Sequence, residues 1–197
     1  MIKLGPIQLI DEQYGVQSLV KKTKYKPRDG DVFVLQPAGH PFIYGRVIDA
    51  YFPRRFATWE SNYKETEVDE DDKESILICI YDFKTDQLAE SLEQIEFTKL
   101  LCNEAYLVHE HEWHDGIFAH LGNVPISDAE RKLLPNCFYW GQIEKYVDAR
   151  GNVIDEPANA EACPDYLTFT SRFGIFGDVR EALGDPVPED EEDDDGW

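Results

Sequence analysis

The chain has 197 residues, 42% of them hydrophobic and 13% aromatic, enough for one domain with a sizeable core and too apolar for a wholly disordered chain. Forty acids against nineteen bases leave a net charge of −21, which argues against nucleic acid or an anionic membrane as a direct ligand, since each calls for a basic footprint. The same charge favours a basic protein partner, because opposite fields speed encounter.

Residues 1–25 are weakly patterned, with no apolar segment ahead of a cleavage site. No run long enough to span a bilayer occurs anywhere. A cytoplasmic protein with free thiols is expected, since Cys79, Cys102, Cys137 and Cys163 are widely spaced with no CxxC pair. From Leu19 to Lys26 runs the only dense basic block.

Asp31–Leu35 is rich in β-branched and aromatic residues and predicts a strand. Pro37, Gly39 and Pro41 break it, and a second strand follows over 42–52, so the two form an antiparallel hairpin with a loop at 36–41. Gly45 inside the second strand predicts a bulge or a close backbone approach. The neighbouring Arg46 needs a carboxylate if it points inward, with Asp31 or Asp82 as the expected partner. Seven acids between Glu65 and Glu74 mark a solvated loop. Over 75–83 both alternating faces are apolar, the pattern of a central strand covered on each side, with Cys79 in the core.

Leu88, Leu92 and Ile95 after Asp86 predict a short amphipathic helix over about 86–97. Further strands are expected at 105–108 and 117–121. Ser127 and Glu130 form a capping-box pattern for a helix running to Leu134, stopped by Pro135. A last strand at 166–169 and one or two helical turns from Asp178 to Leu183, closed by Gly184, complete the reading. Residues 188–197 carry seven acids and predict a disordered tail, leaving 1–187 as a single domain. The fold class is mainly β (α+β): an antiparallel, strongly bent sheet or SH3-like partial barrel with a few short helices.

Four of the five histidines fall between His109 and His120. The zinc pattern HExxH fails twice, because Trp113 and Asp115 occupy the positions of the second histidine. No metal is therefore expected there, and none of GxSxG, P-loop or GxGxxG occurs. No catalytic residue and no cofactor is expected. The glycines of Phe173-Gly174-Ile175-Phe176-Gly177 follow no βα unit.

Ordered words along the chain carry a resemblance: Lys26-Pro27, Gly30–Leu35, Tyr44–Ile48, Ile80–Phe83, then Trp113, Gly116–Phe118, Gly122–Pro125 and Leu134-Pro135 before Phe138. Together they resemble the immunity protein 26 family over about 25–140, the later acidic segment 53–74 and the tail after 185 being additions. The resemblance implies a bacterial, non-enzymatic inhibitor that binds a cognate toxin of a polymorphic toxin system, a basic nuclease fitting the charge. Two other classes remain open on sequence. One is a toxin-like ribonuclease with a small β-barrel, which the acidic charge opposes. The other is a general interaction module. The contact residues expected on charge and aromatic content lie in two stretches. The first comprises Trp59, Tyr63, Glu67, Asp69, Glu70, Asp71 and Asp72; the second comprises Glu110, Glu112, Trp113 and Asp115.

Overall fold

A computed structural model describes residues 4–50, 76–133, 137–140, 144–148, 153–158, 160, 165–166 and 172–185. The chain opens with a hairpin, β1 (Gln8–Asp11) and β2 (Val16–Ser18), which form a two-stranded antiparallel sheet. The main sheet then assembles from β3 (Asp31–Leu35), β4 (Phe42–Asp49), β5 (Ile76–Thr85), β6 (Leu100–Val108) and β7 (Ala119–Asn123). Its order is β6-β5-β4-β3-β7, antiparallel throughout, and it does not close into a barrel. A second sheet holds β8 (Cys137–Trp140), β9 (Lys145–Asp148), β10 (Val153–Ile154) and β11 (Asp165–Tyr166), with β11 parallel to β8. Three helices are described: α1 (His111–His114), α2 (Asp128–Arg131) and α3 (Arg172–Ala182).

Both faces of the main sheet are covered, which is why its strands carry apolar residues at consecutive positions. On one face Phe33, Leu35, Ile43, Val47, Ile76, Ile78 and Ile80 pack with Trp113, Phe118 and the α3 residues Ile175, Phe176 and Val179. On the other, Val32, Val34, Phe42 and Tyr44 lie under Leu19, Ile95 and the partly buried Leu88 and Leu92. Cys79 and Tyr81 form a third cluster with Leu100. Ile78 and Ile80 are 0% and 1% exposed, as a central strand demands. Gly45 serves a close approach: a Cβ there would stand 2.2 Å from Cζ of Phe33, whose ring stacks on Phe118 at 4.6 Å.

Several expectations change. The helix over 86–97 is a single 3-10 turn at Leu92–Gln94, capped by Ser91. Its apolar residues still cover the sheet, because burial at three anchor points does not require a helical path; the Ala89 N–H instead donates to the Tyr44 hydroxyl at 2.8 Å. The 105–108 strand extends back to Leu100, and the 117–121 strand starts two residues later. The Ser127–Glu130 capping box is present, on a helix of one turn. The expected turn from Asp178 is the second half of the eleven-residue α3, which also absorbs the glycines 174 and 177. Strand β11 takes up Asp165 and Tyr166; residues 167–169 and the tail lie outside the described residues. The β1–β2 hairpin and strands β8 to β10 went unpredicted. Cys79 and Cys102 remain thiols, but Cys137 is disulfide-bonded, so the expectation of thiols throughout does not hold.

Candidate partner-binding surface

Of the two stretches expected to meet a partner, the first, from Trp59 to Asp72, lies outside the described residues. The second is folded into α1 and the turn after it. Gly116 makes that turn: its φ is +77°, and a Cβ would collide with the Val20 carbonyl oxygen at 2.1 Å. The Glu112 carbonyl accepts the N–H groups of Ile117 and Phe118, each at 2.9 Å, which folds the chain back toward β7. The turn drives Trp113 inward, where it is fully buried with edge-on contacts to Phe33 and Phe118. Trp113 is thus a core residue rather than a surface anchor, and the four-residue stretch does not act as one exposed patch.

The acids of this stretch are engaged internally. Glu112 is buried, with its carboxylate 3.3 Å from Arg172 Nε. Burial pushes its pKa up to about 7, against the pull of Arg172. Asp115 accepts from Arg172 Nη2 at 3.0 Å and pairs with Lys22 at 3.2 Å. Burial would raise its pKa, but these two cations hold it below the ordinary carboxylate range. Glu110 is partly exposed, 3.8 Å from His114 Nε2. Only Glu110 and Asp115 therefore present charge outward, and Asp115 is already paired.

Beside this ion network lies a cleft of about 490 Å³ between the N-terminal hairpin and Arg172. Pro6, Leu9, Ile10 and Val20 give it an apolar wall; Lys21, Lys22 and Arg172 give it cations; Asp115 is its one acid among the described residues. The surrounding surface carries exposed apolar side chains at Ile7 (51%), Leu9 (45%), Ile10 (42%) and Phe173 (40%). Sequence reasoning marked the basic block but not the hairpin. Ile7, Leu9 and Ile10 obey neither a strand nor a helix period, so no pattern announced them.

Two polar clusters sit within the main sheet. Arg46 is fully buried and donates through Nη1 to Glu130 Oε1 at 2.8 Å, and through Nη2 to the carbonyls of Gly30 and Val124. Its guanidinium also lies 4.6 Å from the Phe97 ring centroid. The partner is therefore Glu130, not Asp31 or Asp82: Asp82 is held at the surface by Lys84 and Lys99, and Asp31 has other donors. Those donors are the Tyr25 hydroxyl at 2.6 Å, the Arg28 N–H at 2.7 Å and Asn123 Nδ2 at 2.8 Å. The Tyr25 ring stacks on His120, whose Nε2 is 3.5 Å from Asp31 Oδ1. Both clusters join successive loops to the sheet. Among the described residues no three histidine, cysteine or acidic side chains converge as a metal site would need.

The family model for immunity protein 26 matches residues 28–145. The chain belongs to the immunity protein 26 family. The match takes in the whole main sheet, the Arg46–Glu130 pair and α1, and so covers more than half of the chain. No curated protein and no solved structure matches. The N-terminal hairpin, the basic block up to Lys26, and α3 lie outside the family span. Among the described residues the cleft is thus built almost wholly from chain that the family pattern does not include, with Asp115 as the one lining residue inside it.

Proposed function

We infer that the protein is a non-enzymatic immunity protein that binds and neutralises a cognate toxin of a bacterial polymorphic toxin system, in the cytoplasm of the producing cell. The family match over residues 28–145 carries this reading. The net charge of −21 supports a basic toxin, with a nuclease the natural class: an acidic inhibitor covers a cationic cleft and takes the place of phosphate. The same charge opposes a ribonuclease activity of its own, since an RNA groove needs cations along its length. The acids Glu67, Asp69, Glu70, Asp71 and Asp72, with Trp59 and Tyr63, remain the proposed site of charge capture, and Glu110 is the nearest equivalent among the described residues.

The test is co-expression with the product of the adjacent gene. Restored growth and a stoichiometric complex on gel filtration are expected. An adjacent product that is not toxic, or that stays toxic and unbound, would overturn the reading.

A further inference from the structure

Strand β1 pairs with β2 alone among the described residues, so its outer edge offers backbone N–H and C=O groups to a further strand. Edges left this way are normally blunted by charge or proline. Here Pro6 and Asp11 stand at the two ends of the edge, and the stretch between them carries exposed Ile7, Leu9 and Ile10. The cleft at its side is lined by Leu9, Ile10 and Val20 and rimmed by Lys21, Lys22 and Arg172, of which Lys22 and Arg172 share Asp115 and Lys21 faces no acid of the lining. Beyond the rim, Lys24 and Lys26 are also exposed, and no acid occurs between Glu12 and Asp29. A chain of net charge −21 therefore concentrates cations at one place, and that place adjoins its exposed apolar residues.

We propose that the open edge of β1 and the adjoining basic cleft form a docking face for an extended segment of the partner that alternates apolar and acidic side chains. This rests on the toxin-binding reading for the identity of the partner. Backbone bonding to β1 gives such a segment affinity, and the cleft and lysines select its side chains. Charge decides between the candidate occupants. A second copy pairing β1 to β1 brings two lysine rims together, and a basic segment meets the same repulsion. Apolar side chains in the cleft with carboxylates toward Lys21 and Lys22 satisfy both features. The charge inversion also fixes register: a basic toxin is drawn broadly to the acidic body, while only its acidic segment fits the hairpin. Because this face lies outside the family span, it is where one member distinguishes its own partner from those of others.

The experiment titrates the full-length protein with a synthetic peptide alternating valine and glutamate, and with its lysine counterpart, followed by amide NMR. Saturable shifts centred on residues 6–10 and 18–22 are expected for the glutamate peptide, with the lysine peptide at least about tenfold weaker. Leu9→Ser with Ile10→Ser, and separately Lys21→Gln with Lys22→Gln, should each abolish or weaken binding by about tenfold while leaving the thermal midpoint near that of the parent, since these side chains are exposed. Equal binding of both peptides, or shifts centred elsewhere, overturns the proposal. So does binding that emerges only after deleting 188–197, because the chain's own acidic tail would then be the occupant. With the adjacent toxin the two readings separate. A parent protein that neutralises it while both double variants do so equally well defeats the docking face alone. A parent that fails to neutralise it defeats the immunity reading, and the peptide titration still decides the docking face.

Discussion

Arg46 and Glu130 illustrate what a buried charge demands of the residues around it. Burial lowers the Arg46 pKa, opposed first by Glu130, and three acceptors converge on a guanidinium with no solvent access. Glu130 meanwhile caps its own helix, its Oε2 accepting the Ser127 N–H at 2.9 Å. Arg46→Ala should destabilise by about 3–5 kcal/mol in urea unfolding, because Glu130 is left charged and buried. Replacing both, Arg46→Met with Glu130→Leu, should cost less than either single change. Glu112 makes a different demand. Its folded pKa of about 7 exceeds the ordinary 4.5, so the folded state holds the proton more tightly than the unfolded state. Its contribution is fully present below about pH 4.5 and is lost as the pH rises through 7. Against Glu112→Gln, the parent should therefore lose about 3 kcal/mol of relative stability between pH 4.5 and pH 8, read from urea curves at both pH values. A pH-independent difference would show that Arg172 fully compensates the burial. The histidines predict a null result: untagged protein, dialysed and analysed for metals, should hold only substoichiometric zinc or nickel.

At the level of elements, the β3–β4 pair depends on Gly45 admitting the Phe33 ring. Gly45→Ala should destabilise by about 1–3 kcal/mol through overpacking, and Phe33→Leu in the same chain should recover part of that loss. Measured unfolding midpoints check both. Helix α1 is too short to be stable by itself, and the burial of Trp113 holds it. Trp113→Ala should cost about 3–5 kcal/mol and act on toxin binding only through stability. A faster toxin dissociation at unchanged melting temperature would instead restore Trp113 to the interface. Helix α3 closes the other side of this core with Ile175, Phe176 and Val179, and Arg172 ties its first turn to Glu112 and Asp115. The same arginine lines the basic cleft, so the packing of α3 and the shape of the cleft are coupled through one side chain.

The whole molecule separates a family-wide body from a particular face. The main sheet lies within residues 28–145, whereas the hairpin, the basic block and α3 lie outside. The body supplies a broad negative field, and the basic cleft is the local exception among the described residues. Two kinetic signatures follow for the toxin complex. Changing the acids Glu67, Asp69, Glu70, Asp71 and Asp72 to their amides should slow association and flatten its salt dependence, with little effect on dissociation. Stopped-flow association across a salt series reads this directly, and a rate indifferent to salt and to these acids would dismiss electrostatic capture.

Much of the main sheet could be read in the sequence. The consecutive apolar run at Ile76–Ile80 requires cover on both faces, and the turn residues between Leu35 and Phe42 leave hairpin pairing as the short connection. The Ser127–Glu130 cap was equally local, since its partners lie three residues apart. Other features depended on contacts across long separations. The partner of Arg46 stands 84 positions away, and nothing in the spacing of carboxylates distinguishes Glu130 from Asp31 or Asp82. The helical period of Leu88, Leu92 and Ile95 is met by an irregular path, because the sheet beneath selects where apolar side chains land and not how the backbone joins them. The cleft was the least legible feature. Its walls come from the first twenty-two residues, Asp115 and Arg172, and only folding brings Lys22, Asp115 and Arg172 into one ion network. Local pattern determines strands and caps, whereas charge pairing and concavity arise from which distant surfaces the core brings together.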